Sequence, residues 1–138
     1  MTRARLEAKI GFDKIRETIS NRCQTEYATR RVAEEEFSSD EDIISERLAI
    51  TDEMRLVVMF EDSFPTTGYI DALPFLEPLE KSGSCIDVSS LGKLSTLLEI
   101  SRKLGYFFSS IKDGVYPLLK KRVNKMASFP EIRRRIEA

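Results

Sequence analysis

Histidine and tryptophan are absent from this 138-residue sequence, which also holds few cysteines, glycines and prolines (two, six and five). Without histidine the chain lacks the commonest general base and the commonest protein metal ligand. Cys23 and Cys85 are too few to build a zinc site of the usual type, and free thiols in a reducing compartment are their default interpretation. We therefore expect no catalytic residue, no metal site and no cofactor site in this chain, and we expect it not to be an enzyme by itself.

Two further absences concern nucleotides and membranes. The glycines are isolated from one another, and none lies in the G-x-x-x-x-G-K-[ST] frame that cradles nucleotide phosphates. No apolar run comes near the roughly eighteen residues that a spanning helix needs, and no charged stretch followed by an apolar one opens the chain. These patterns predict a cytoplasmic protein without a membrane partner.

What the sequence does contain is typical of a helical protein. Hydrophobic residues make up 41% and charged residues 33% of the chain, as in ordinary globular domains. The length favours one domain, so we expect residues 1–138 to form a single helical domain. The apolar periodicity predicts an all-α fold, an irregular bundle of about six helices. Two of these are long, at about 40–61 and from Ser89 or Ser90 to about Ile111.

Local signals mark several helix boundaries. Thr25 is a plausible N-cap for a helix that reaches about Glu35, and Ser39, three residues before Asp42, resembles a capping box. Pro78 is expected to strain or interrupt a short helix, whereas Pro130 suits the first position of a new one. Ser101 and Gly105, one turn apart, could form a small-residue seam where another helix approaches closely.

Charge is strongly segregated along the chain. Residues 34–62 carry eleven acids and two bases, a net charge of −9, whereas residues 102–138 carry ten bases and three acids, a net of +7. One interpretation is that these are solvated faces that attract each other. The alternative is that the basic end contacts nucleic acid, through phosphates rather than bases because no stacking aromatics are interleaved. The candidate phosphate contacts are Lys120, Lys121, Lys125, Arg133, Arg134 and Arg135.

Four short motifs, in order and spacing, carry a resemblance to a known family. They are the Phe12-Asp13-x-Ile15 entry into a helix, the capped acidic helix after Ser39-Asp40, the Ile70-Asp71-x-Leu-x-x-Leu segment and the Tyr116-Pro117-Leu-Leu break. Together they resemble the start of the MutS-two family, bacterial MutS paralogues that lack the mismatch-reading domains. Pro78 departs from the family's usual pattern.

The resemblance implies that the chain is one part of a larger multidomain protein. It places the chain in the N-terminal part of the all-helical core, or lever, domain, ahead of a DNA-embracing clamp, an ABC-type ATPase and often a small nuclease domain. It implies ATP-dependent DNA binding in the full-length protein, linked to DNA repair, recombination control or ribosome rescue, with ATP and Mg used there. No catalytic residue carries over to this chain, whose expected role is structural and transmitting, with the remaining MutS-like domains as partners in cis.

Two expectations stand beside that one. A stand-alone helical protein-interaction module that uses the 40–61 face is the alternative function. In addition, a core domain without its later helices should expose apolar clusters, which we expect at 56–60 and at Leu104, Phe107, Phe108 and Ile111. Pairing with a second copy would cover them, so we expect a homodimer. DNA or ribosomal RNA is the nucleic-acid partner that the resemblance implies.

Overall fold

The chain is all-α in a computed structural model that describes residues 2–138. The described residues form eight α-helices and one short 3-10 helix at Glu77–Glu80, with no strand. The α-helices are α1 (Arg3–Ile10), α2 (Phe12–Ser20), α3 (Glu26–Glu34), α4 (Glu41–Phe60), α5 (Leu73–Leu76), α6 (Val88–Ser110), α7 (Pro117–Val123) and α8 (Pro130–Glu137). This confirms the predicted fold class and its two long helices, α4 and α6, while the predicted number of about six is too low.

Gly11 explains part of the higher count. It adopts a left-handed backbone conformation with φ of 73°, so it ends α1 and immediately precedes α2. Glycine reaches this conformation without a Cβ penalty, which makes it the usual terminator of a helix. Farther along, the predicted short helix splits at Pro78 into α5 and the 3-10 helix, because proline cannot donate the backbone bond that would continue an α-helix.

The contacts divide the chain into two compact units. Unit 1 comprises residues 2–37 together with Tyr69–Asp71, and unit 2 comprises Ser38–Gly68 together with Ala72–Ala138. That residues 1–138 form a single domain stays a prediction.

Unit 1 is organised around a buried carboxylate. In this unit α2 packs against α1 and α3. Glu7, 6% exposed, accepts hydrogen bonds from Arg3 Nε at 2.9 Å and from Arg16 Nη2 at 2.7 Å. These bonds, that of Arg16 first, hold the pKa of Glu7 below its usual value. Arg16 also donates to the backbone carbonyls of Val32 and Glu35, so one guanidinium ties α1 and α2 to the end of α3.

The start of α3 is capped twice. Thr25 Oγ1 accepts from the backbone N–H of Ala28, as predicted. Asp71, which lies far away in sequence, accepts from the N–H groups of Glu26 and Tyr27 at 2.6 and 3.1 Å. Since the first N–H groups of a helix have no partner inside it, these oxygens satisfy donors that would otherwise depend on water.

Unit 2 holds the hydrophobic core. Val57 of α4, Phe107 and Phe108 of α6 and Tyr116 are buried together. The rings of Phe107 and Phe108 meet edge to face with centroids 5.0 Å apart, and the ring of Phe64 approaches that of Phe107 at 5.3 Å. Within the unit, α7 packs against both α4 and α6, and α8 packs against α6.

The burial of this core contradicts part of the prediction that two apolar clusters would be exposed. Phe107 and Phe108 are only 4% and 3% exposed, so the prediction of an unpartnered cluster around them was wrong: Phe64, Tyr116 and α7 already cover them. The end of α4 is divided. Val57 is fully buried, whereas Val58, Met59 and Phe60 are 67%, 59% and 67% exposed.

At the starts of α4 and α6 the capping residue differs from the predicted one by one to three positions. Asp40 rather than Ser39 caps α4, and Asp87 rather than Ser89 or Ser90 caps α6, accepting from the N–H of Ser90 at 3.1 Å. Pro130 takes the first position of α8 as predicted. No helix formed by residues 2–138 combines the length and apolar character needed to cross a bilayer.

Candidate nucleic-acid interface

The basic helix α7 is held in place at its N-terminus. Tyr116, in a left-handed conformation with φ of 52°, precedes Pro117 at the first helical position, and its hydroxyl donates to Glu61 Oε1 at 3.0 Å. Tyr116 offers no side-chain cap, and the carboxylate of Glu53 on α4 takes that role instead. It accepts from the N–H groups of Leu118 and Leu119 at 3.1 and 2.8 Å. The position of α7 on unit 2 is therefore fixed by hydrogen bonds as well as by the core.

Lys120 has a structural role. Its Nζ donates to the carbonyl of Ile111 at 2.8 Å and to Asp113 Oδ1 at 2.9 Å, and its side chain is 19% exposed. These contacts close the connection between α6 and α7. They also lower the pKa of Asp113, through the hydrogen bond from Lys120. Of the candidates on α7, Lys120 is thus the least available to a phosphate.

Lys121 and Lys125 are placed differently. Lys121 lies in the last turn of α7 and Lys125 in the turn that follows, and both are exposed. Within residues 2–138 no carboxylate lies within ion-pairing distance of either ammonium group. Cations near a helix C-terminus interact favourably with its dipole, which gives these residues a stabilising role that needs no ligand. Arg122, an exposed cation in the same turn as Lys121, was not among the predicted contacts.

Arg133 links α8 to α6. Its Nη1 lies 3.0 Å from Glu99 Oε2, and Glu99 also accepts two hydrogen bonds from Arg102, at 2.7 and 2.9 Å. These interactions, the Arg102 hydrogen bond foremost, lower the pKa of Glu99 to about 2. Arg133 is only partly exposed, and its main role is to attach α8 to α6 rather than to contact a phosphate.

The last two candidates also lie on α8. Arg135 forms an exposed pair with Glu131 at 3.3 Å, one helical turn away. Arg134 is exposed and, in the described part of the chain, has no carboxylate within ion-pairing distance. Of the six predicted contacts, Lys121, Lys125 and Arg134 are therefore the ones that present an uncompensated charge.

Next to the basic residues lies an apolar cavity of about 310 Å³, formed between α6 and residues 123–133 and called here the α6 cavity. Ser101 and Gly105 line it. The predicted seam of close helix approach is wrong, because a Cβ placed on Gly105 would meet nothing within 4 Å. Ser101 instead donates its hydroxyl to the carbonyl of Leu97 in its own helix. The small residues open space here.

Among residues 2–138 no group of three or more cysteine and carboxylate side chains is placed to hold a metal ion. Cys23 and Cys85 are both free thiols.

Comparison with known proteins finds a similarity that extends over most of the chain. No protein-family model matches the chain. Over 127 residues it is 26% identical to the endonuclease MutS2 of Ligilactobacillus salivarius (strain UCC118), an alignment that covers 91% of this chain. The chain spans only 16% of the length of that relative. The similarity supports a relationship between this chain and MutS-family proteins.

Proposed function

We propose that the chain is the N-terminal core, or lever, segment of a MutS-like, ATP-dependent DNA-binding protein. In this role the chain is structural: it connects other domains and transmits conformational changes between them. It catalyses nothing by itself. The observation that carries the proposal is the similarity to an endonuclease MutS2 over nearly the whole chain but a small part of the relative.

The construction of unit 2 supports a transmitting role. Helices α4 and α6 have 20 and 23 residues, hence lengths of about 30 and 35 Å. The short helix α7 packs against both and is anchored to α4 by the carboxylate of Glu53. A displacement applied to one long helix would therefore reach the other through a hydrogen-bonded and densely packed joint.

The partners follow from the proposal. The remaining MutS-like domains would act in cis and would supply the ATP and Mg sites, the clamp and any nuclease activity, with DNA repair, recombination control or ribosome rescue as the process served. We also propose that the chain forms a homodimer. The exposed Val58, Met59 and Phe60 support this part of the proposal, because large apolar side chains in one exposed segment favour association.

Contact with nucleic acid is the second element of the proposal. Lys121, Lys125 and Arg134 are exposed cations in a segment of net charge +7, and such groups bind DNA or ribosomal RNA through phosphates without reading bases. Lys120 and Arg133 would contribute indirectly, by fixing α7 and α8.

The reading frame downstream of Ala138 tests the proposal. We expect it to continue into a segment with a G-x-x-x-x-G-K-[ST] phosphate loop that follows a strand. A stop codon directly after Ala138 would contradict the assignment and would favour a stand-alone interaction module that uses α4.

A further inference from the structure

The first half of α4 is an exposed part of unit 2. Residues 41–49 of this helix are all exposed, whereas its second half packs through Val57 into the core. Among the exposed residues, Ile43, Ile44 and Leu48 have 42%, 38% and 66% of their surface accessible. The proposed function does not use these three side chains, because the dimer proposed above involves the other end of the helix.

The three apolar residues share one side of the helix. At 3.6 residues per turn, Ile43, Ile44 and Leu48 fall within an arc of about 140°. Glu41 borders this arc on one side and Glu46 on the other. These five residues are called here the α4 face. An apolar strip with charged borders is the pattern by which one helix packs lengthwise against another, with apolar residues in the seam and charges beside it.

The segment around the α4 face carries an excess of negative charge. Residues 38–51 contain four acids and one base, a net charge of −3: Asp40, Glu41, Asp42 and Glu46 against Arg47. In the described part of the chain no lysine or arginine lies within ion-pairing distance of Glu41, Asp42 or Glu46. The helix dipole accounts for the acids of the first turn, but Glu46 lies beyond that turn, where its charge is available to a partner.

The α4 face is already helical without a partner. Asp40 Oδ1 accepts the N–H groups of Asp42 and Ile43 at 3.0 and 3.2 Å, which caps the first turn of α4. The burial of Val57 anchors the other end of the same helix. A surface that is ordered beforehand binds at a smaller entropic cost than one that must fold on binding.

Charge decides between the possible occupants of the α4 face. A second copy that paired through the same face would bring together two segments of net charge −3, and like charges across an interface disfavour association. Nucleic acid and anionic membranes are repelled for the same reason. A helix whose apolar strip is bordered by lysine or arginine matches both the seam and the charge.

We propose that the α4 face binds a basic, amphipathic helix of a partner protein. Apolar side chains of that helix cover Ile43, Ile44 and Leu48, and its cations lie against Glu41 and Glu46. The proposal depends neither on the MutS-like assignment nor on the dimer, since different residues carry it.

Labelled peptides test the proposal directly. The probe is a lysine- and alanine-rich helical peptide with leucines spaced three and four residues apart, and its length is about 15 residues, at which helices begin to form alone. Fluorescence anisotropy follows its binding to the whole chain. Replacing the leucines by alanine should weaken binding about tenfold or more, as the loss of apolar anchors does. Replacing the lysines by glutamate should abolish binding.

A matched pair of apolar variants locates the seam. Leu48→Ser should weaken binding of the peptide about tenfold, because it removes the most exposed apolar side chain of the α4 face. Val88→Ser, at an apolar position of α6 that is 87% exposed, should leave binding unchanged. Circular dichroism verifies the fold of each variant.

A matched pair of charge variants tests the borders of the face. Glu41→Gln combined with Glu46→Gln should weaken binding about three- to tenfold at low salt and less at high salt, because exposed ion pairs are screened. Asp13→Asn combined with Glu17→Gln, which removes two exposed acids of α2, should have no such effect.

Several results would overturn the proposal. They are no binding of the basic leucine peptide at millimolar concentration, equal binding of its alanine version, and equal loss in Leu48→Ser and Val88→Ser. Weaker self-association of Leu48→Ser without any binding of the peptide would assign the α4 face to a second copy instead. The comparison of peptides uses the unmodified chain, so it decides the matter even if one variant fails to fold.

Discussion

The carboxylate of Glu53 caps the first turn of α7, where its Oε2 accepts the backbone N–H of Leu119 at 2.8 Å. The two residues belong to different helices and are 66 positions apart in sequence. Helix caps are usually local, but the residue before Pro117 is a tyrosine with no capping oxygen in reach. One acidic side chain of the long helix α4 thus caps the N-terminus of the basic helix α7.

Removing that cap should destabilise unit 2. Glu53→Ala leaves two N–H groups at the start of α7 without their acceptor, and we expect the free energy of unfolding to fall by about 1–2 kcal/mol. Glu53→Gln, which keeps one acceptor oxygen, should cost less. Glu46→Ala on the exposed part of α4 is the control. Urea denaturation measures all three, and equal effects at positions 53 and 46 would contradict the capping role.

The ion pairs of Glu99 should make the attachment of α8 sensitive to acid. Its folded-state pKa, about 2, is lower than the usual value of a glutamate, so its stabilising contribution is complete above about pH 4.5. The contribution is lost as the pH falls from there through about 2. The stability difference between the unmodified chain and Glu99→Gln should therefore shrink across this interval.

Urea denaturation at several pH values measures that difference, and hydrogen exchange of the amides of α8 reports whether this helix is the part released. Glu46→Gln, a change at an exposed position on α4, should give a difference that does not follow the same pH course. A difference between wild type and Glu99→Gln that is constant from pH 5 to pH 2 would contradict the prediction.

Nucleic-acid binding, if it uses the exposed cations, should be weak and steeply dependent on salt. We expect dissociation constants of about 10⁻⁴ to 10⁻⁶ M without sequence preference. Reversing the charges of Lys121, Lys125 and Arg134 to glutamate should reduce the slope of log K against log salt by about 0.9 for each lost contact with B-form DNA. The same reversals at Lys14, Lys81 and Lys93, exposed lysines elsewhere, are the matched control.

Electrophoretic shift or anisotropy with a random-sequence duplex and with a ribosomal RNA fragment provides the measurement. Tight binding that persists at high salt would exclude the phosphate mode. If the slope of log K against log salt is unchanged after the triple reversal, Lys121, Lys125 and Arg134 do not contact phosphates.

Self-association should depend on the end of α4. The exposed side chains of Met59 and Phe60 are the residues to change, because burying large apolar groups between copies is favourable by about 1.5–3 kcal/mol each. Met59→Ser combined with Phe60→Ser should shift a concentration-dependent dimer toward monomer in sedimentation velocity. Val88→Ser, at a position 87% exposed on α6, should not. A strict monomer at high concentration would refute the dimer.

The isolated chain should hydrolyse neither nucleotides nor DNA. The sequence has no histidine and no phosphate-binding glycine loop, and its proposed role is mechanical. The measurement is phosphate release from ATP by highly purified chain, with a nuclease assay on plasmid DNA alongside. Turnover above the buffer background that co-purifies with the folded chain would overturn this prediction.

Much of the fold could be predicted because its signals are local. Thr25 caps α3 and Pro130 starts α8, as their chemistry predicts. The two long helices follow from periodicity. The errors at Ser39 and Ser89 arose because a neighbouring aspartate, Asp40 or Asp87, competes for the same role with a stronger acceptor.

The site was less predictable because it depends on tertiary contacts. Nothing near Lys120 in sequence reveals that its ammonium group closes the α6–α7 connection, and the pairing of Arg133 with Glu99 spans 34 residues. The same holds for the space at Gly105, where the pattern of small residues fits both close packing and an open cavity. Only the position of residues 123–133 against α6 shows that this space is an open cavity rather than a close helix contact.

The capping of α3 by Asp71 has a consequence for synthesis. The three helices of unit 1 have eight or nine residues each, too short to be stable alone. One acceptor that completes α3 is translated 45 residues after the N–H group of Glu26 that it satisfies. At the roughly 5–20 residues per second of translation, the nascent N-terminal segment waits about 2–9 s for its last cap. Until Asp71 is in place, the N–H groups of Glu26 and Tyr27 depend on water as their partner.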